Sequence, residues 1–141
     1  MTSVDTNVIS ALLEADDVHA ELAEHALLAA SARGKLLICP AVYSELIAKP
    51  KRTVATVDSF LSATRIEVDW NLEARIWQLA GLGFQIYASA RKKQKLPEPR
   101  RILADFLIGA HAFDRGFTLL TLDSRVYKTS FPKLSLEILE A

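Results

Sequence analysis

The sequence predicts an α/β domain: a parallel sheet of four to five short strands with helices on both faces. Three observations point there. Short apolar runs alternate with longer segments of helical period along the whole chain. The run within Lys35 to Cys39 has the continuous apolar character of a strand buried on both faces. The size also fits, since 141 residues, half of them hydrophobic, bury a core as a single domain spanning residues 1 to 141.

Met1 to Val4 reads as a first strand ending at Asp5, followed by a helix over Asn7 to Glu14. Asp16 or Asp17 caps a second helix carrying Val18, Leu22, Ala26 and Ala29, which stops near Gly34. After the Lys35 to Cys39 strand, Pro40 suits the first turn of a helix over Ala41 to Ala48. A helix over Thr53 to Thr64 leads to a strand at Arg65 to Val68. Leu72, Ile76, Leu79 and Ala80 then mark a longer helix that runs into a basic segment. The dipeptides before Pro97 and Pro99 are extended or turn-like and separate it from a helix over Ile102 to Asp114, which Gly116 stops. Phe117 to Thr121 and Ser135 to Leu139 are the last strands.

The 17 basic and 17 acidic residues cancel, yet they are not evenly spread. Residues 1 to 32 carry a charge of −6, residues 33 to 90 carry +2, residues 91 to 101 carry +5 and residues 102 to 141 carry −1. A neutral chain with one dense basic segment, Arg91, Lys92, Lys93, Lys95, Arg100 and Arg101, is able to grip a polyanion locally. The plainer reading is a solvated helix end, where the helix dipole favours cations. Cys39 is the only cysteine, so no intrachain disulfide or multi-cysteine zinc site exists, and a cytoplasmic location is expected. The N-terminus has no basic-then-apolar signal. The weakly polar stretch Ile76 to Ala90 falls short of the roughly 20 residues that span a bilayer, so no membrane role is expected.

Asp5 and Asp123 each follow an apolar strand directly, and the carboxyl ends of parallel strands share one sheet edge. Each also suits a helix cap. Asp105 is the only charged residue from Ile102 to Phe113, and a carboxylate in such apolar surroundings needs a partner. Glu45, one turn into its helix, is by itself an ordinary surface residue. Together these acids suggest a carboxylate cluster neutralised by a cation, and oxygen ligands select Mg²⁺ or Mn²⁺. His19, His25 and His111 fit no metal pattern with them. No nucleophile elbow, Walker-type lysine loop or dinucleotide fingerprint occurs.

Four blocks carry a family resemblance: Val4-Asp5-Thr6-Asn7-Val8, Tyr43-Ser44-Glu45-Leu46, Leu103-Ala104-Asp105-Phe106 through Ala112, and Leu119-Leu120-Thr121-Leu122-Asp123. In order and spacing, over essentially residues 1 to 139, the chain resembles the PIN domain, and within it the VapC ribonuclease toxins of type II toxin–antitoxin pairs. The resemblance implies a three-layer fold and metal-dependent hydrolysis of RNA phosphodiesters. By position it implies an acidic catalytic cluster of Asp5, Glu45, Asp105 and Asp123, with Asp5, Asp105 and Asp123 holding Mg²⁺ or Mn²⁺. Thr6 or Asn7 would orient an acid or the scissile phosphate, and Arg91, Lys92, Lys93 and Lys95 would contact RNA phosphates. It further implies a VapB-like antitoxin, whose C-terminal segment directs an Arg at the acids, and a homodimer. Tyr127 and Ser124 follow the last acid closely enough to touch substrate, although a packed Tyr is the plainer outcome. Alternatives are another PIN-fold nuclease acting in RNA processing or on DNA, and a receiver-like signalling domain, which would require an acidic pair where Asp5 stands alone.

Overall fold

A computed structural model describes residues 1–14, 17–97 and 103–139. Five parallel strands, β1 (Thr2–Val4), β2 (Leu36–Ile38), β3 (Ile66–Val68), β4 (Thr118–Thr121) and β5 (Leu136–Ile138), lie in the order β3-β2-β1-β4-β5. Thr2 pairs with Leu36 on one side and with Thr118 on the other, so β1 is the centre of the sheet. Every residue of β1 and β2 is buried, which is why these strands lack polar alternation. From β1 the chain steps outward to β3 and then crosses back to β4. The gap between β1 and β4 is therefore the switch point where α/β sheets open a crevice at their carboxyl ends. A receiver-type sheet has the order 2-1-3-4-5, which this is not.

The helices α1 (Thr6–Leu13), α2 (Ala20–Arg33), α3 (Pro40–Ala48) and α4 (Val54–Thr64) pack as one series. The helices α5 (Ala74–Lys93), α6 (Leu103–Arg115) and α7 (Arg125–Ser130) pack as another. Buried side chains of both series, including Val8, Ile9, Leu46, Ile76, Phe106 and Ile108, join one core with Val4, Ile38, Leu119 and Leu120 of the sheet. Gly83 and Gly109 let α5 and α6 close around Phe131, because an added Cβ would stand 2.7 Å and 2.6 Å from that ring.

Most local expectations match the sequence signals. Pro40 opens α3, Thr53 and Thr56 form a reciprocal cap on α4, and Asp105 lies in the first turn of α6 rather than at its cap. The second helix starts later than expected, at Ala20: the Asp17 carboxylate instead binds the His19 N–H at 2.7 Å, in the turn before it. Asp16, Pro99, Arg100, Arg101 and Ile102 lie outside the described residues. The sequence reading omits α7, which has six residues, too few to display a helical period. Among the described residues no helix is long and apolar enough to cross a membrane.

Candidate active site

Asp5 ends the central strand, and its N–H still bonds Leu120 O at 2.9 Å, so the sheet ladder fixes its backbone. Its carboxylate caps α1 by accepting from Thr6 N at 2.7 Å. The other oxygen accepts from Thr121 Oγ1 at 2.7 Å and from the Tyr127 hydroxyl at 2.9 Å. Asp5 is 5% exposed. Burial pushes its pKa up from 3.8 to about 6, and the nearby Asp105 charge pushes the same way against the three hydrogen bonds. The same burial, together with the Asp5 charge, holds the Tyr127 phenol well above its ordinary value, so it stays a donor.

Asp5, Glu45, Asp105 and Asp123 come from β1, α3, α6 and the turn before α7, and all line one cleft at the carboxyl edge of the sheet. Thr6, Asn7, Ser10, Lys49, Val126 and Tyr127 complete its wall, around a volume of about 370 Å³. Thr6 and Asn7 are engaged within it: Thr6 Oγ1 donates to Glu45 Oε1 at 2.6 Å, and Asn7 bridges α1 to the end of β4 through Thr121 Oγ1 (3.4 Å) and Leu122 N (3.2 Å). Asp123 is held by Arg125, whose Nε and an Nη donate at 3.0 Å and 2.8 Å, and this pairing lowers its pKa. The carboxylate and hydroxyl donors of the cleft are oxygen-only, which suits a hard divalent cation. Among the described residues no three His, Cys, Asp or Glu side chains already stand at metal-binding spacing. The acids line one cleft without closing on a point.

The expected basic contacts divide. Arg91, Lys92 and Lys95 line a separate pocket at the end of α5, and Lys93 is not among its lining residues. Thr121 and Tyr127 are the site residues that sequence reasoning underrated. Thr121 had a signal, being a polar residue at the end of an apolar strand; Tyr127 had one in its place after Asp123, but its partner Asp5, 122 residues away, was not foreseeable. His111 is fully buried and tied by Nε2 to Asp69 at 2.9 Å, away from the acid cleft.

Residues 3–132 match the model of the PIN domain. No curated protein gives a match. Among solved structures, a chain of the VapBC2 complex from Rickettsia felis, bound to a DNA fragment from its promoter, is 21% identical. The match covers 99% of this chain and 98% of that one, with a TM-score of 0.68. A chain of VapBC-1 from nontypeable Haemophilus influenzae is 19% identical, covering 98% and 97% at a TM-score of 0.65. VapC20 from Mycobacterium tuberculosis, a toxin that cleaves the sarcin-ricin loop, is 17% identical, covering 84% and 87% at 0.58.

Proposed function

The chain belongs to the PIN domain family, and from that premise we propose that it is a metal-dependent endoribonuclease acting as the toxin of a type II toxin–antitoxin pair. The observation that carries this reading is the meeting of four carboxylates from four separate elements in one cleft at the sheet's switch point. Asp5, Asp105 and Asp123 are the residues to hold Mg²⁺ or Mn²⁺. When bound there, such a cation polarises the scissile phosphate and lowers the pKa of the attacking water.

The chain's own residues supply the rest. Thr121 and Tyr127 fix the Asp5 carboxylate from its buried side and leave it facing the cleft. Glu45, which accepts from Thr6, is the carboxylate we assign to take a proton from water. Asp123 would be available to hold the cation on releasing Arg125, whose side chain is 88% exposed and so costs little to free. The basic end of α5 binds RNA phosphates without reading sequence. The antitoxin complexes among the structural relatives support a VapB-like partner for this chain, and Leu82 and Ile86, exposed one turn apart on α5, offer a surface for a homodimer. A cytoplasmic location accords with this role.

The test is cleavage of RNA by the purified protein with Mg²⁺ or Mn²⁺. Asp5→Asn and Asp105→Asn should abolish cutting while the variants keep the parent's circular dichroism spectrum. If both variants cut as fast as the parent, the four-acid assignment fails. If the parent cuts DNA and spares RNA, the alternative PIN-fold nuclease takes its place.

A further inference from the structure

We propose that the pocket at the C-terminal end of α5 is a nucleotide subsite, taking one unstacked RNA base against Phe84 and Leu96 and its flanking phosphates on Lys92 and Lys95. This rests on the ribonuclease reading and adds where the strand is held outside the acid cleft.

The pocket encloses about 580 Å³, within the range of small-ligand sites. Its lining combines exposed apolar surface, Phe84 at 37% and Leu96 at 45%, with three cations, and no described carboxylate lines it. An aromatic face ringed by cations is the arrangement that holds single strands, since every base has a π-face to stack and every nucleotide a phosphate to neutralise. One wall residue of the pocket, Phe84, packs in the core on Phe106, the residue after Asp105. Phe84 meets the Phe106 ring edge-on at 5.4 Å, and Tyr87 packs on it at 5.8 Å.

After α5 the chain closes in a Schellman turn, with Lys95 N bonded to Lys92 O at 3.0 Å and Leu96 N to Arg91 O at 2.9 Å. Lys95 occupies the left-handed position of that turn, at φ 57°, where glycine is the ordinary occupant. Lys95 lines the pocket from that turn, while Lys51 and Arg65 hold the same conformation away from it. Arg91 is engaged structurally: its Nε donates to Pro97 O at 2.8 Å and its guanidinium stands over the Tyr87 ring at 5.8 Å. Lys92 and Lys95 are thus the cations left for phosphate, and Lys93, in the same run, is outside the lining.

The test is fluorescence anisotropy of a labelled mixed-sequence RNA 20-mer, titrated against salt with chelator present so that nothing is cut. Lys92→Ala and Lys95→Gly should each flatten the slope of log affinity against log salt by about 0.7, and Lys93→Ala should leave it unchanged. Phe84→Ala should weaken RNA binding about tenfold, yet bind an abasic ribose-phosphate oligomer like the parent. Lys95→Gly should melt no lower than the parent, which separates lost binding from lost folding. Equal effects at Lys93 and Lys95, or an equal loss by Phe84→Ala on the abasic oligomer, would overturn the subsite. A parent that cuts RNA while every pocket variant binds it normally refutes the subsite alone; a parent that neither binds nor cuts RNA refutes the ribonuclease reading beneath it.

Discussion

Asp5→Asn should make the metal-free protein more stable at neutral pH while removing its activity. In the folded protein the Asp5 carboxyl titrates near 6, against 3.8 when unperturbed. The shift is about two units, worth about 3 kcal/mol at 1.36 kcal/mol per unit. Its sign follows from proton linkage: the folded state binds this proton more tightly than the unfolded state. Below about pH 4 both states hold it and Asp5 carries no penalty. Between about pH 4 and 6 the unfolded state loses it first and stability falls, and above about pH 6 the full penalty applies. Asparagine does not titrate. With its carbonyl accepting from Thr121 and Tyr127, its amide N–H faces the Thr6 N–H, a mismatch costing about 1–2 kcal/mol at every pH. The variant should therefore be less stable than the parent at pH 4 and more stable by about 1–2 kcal/mol at pH 8, or roughly 4 °C per kcal/mol in melting temperature. Urea denaturation from pH 4 to 8 with chelator present measures this directly. The decisive quantity is the swing of about 2.5 kcal/mol between the two ends, because at pH 4 the unfolded state has already begun to lose the proton. A stability difference that stays constant with pH would refute the burial argument for Asp5.

Other outcomes follow from the same geometry. Tyr127→Phe removes a 2.9 Å donor from Asp5, so the acidic limb of the cleavage profile should move up by about one pH unit, read from rates at saturating Mn²⁺. Arg125→Ala frees Asp123 from an exposed, weakly held pair, so calorimetric titration should find Mn²⁺ affinity up to about fivefold higher; weaker binding would show that Arg125 positions Asp123 for the metal. Gly109→Ala forces a Cβ within 2.6 Å of the Phe131 ring and should destabilise by about 1–3 kcal/mol in chemical denaturation, whereas Gly81→Ala, with open space around its Cβ, should not destabilise.

The centre of the sheet was readable because its inner strands are buried on both faces. Leu36 to Ile38 and Leu119 to Leu120 have no polar alternation, and each run stops at a residue that starts a turn or helix. Asp5 and Asp123 stood out as the charges directly after such runs, and Asp105 as the only charge on an apolar helix. Six-residue α7 did not, because Tyr127 and Ser130 bury themselves by contact with distant elements: Ser130 Oγ reaches the Gly83 carbonyl at 2.7 Å.

By itself, the sequence determined the parallel α/β class, the carboxylates at the strand ends and the position of the basic run, since each depends on local period, local charge and the common direction of parallel strands. Only the tertiary structure decided which lysines face a pocket, that Thr121 and Tyr127 hold Asp5, and that a buried Asp5 keeps its proton to about pH 6. Those outcomes depend on desolvation and on hydrogen bonds between residues more than a hundred positions apart, which no local pattern encodes.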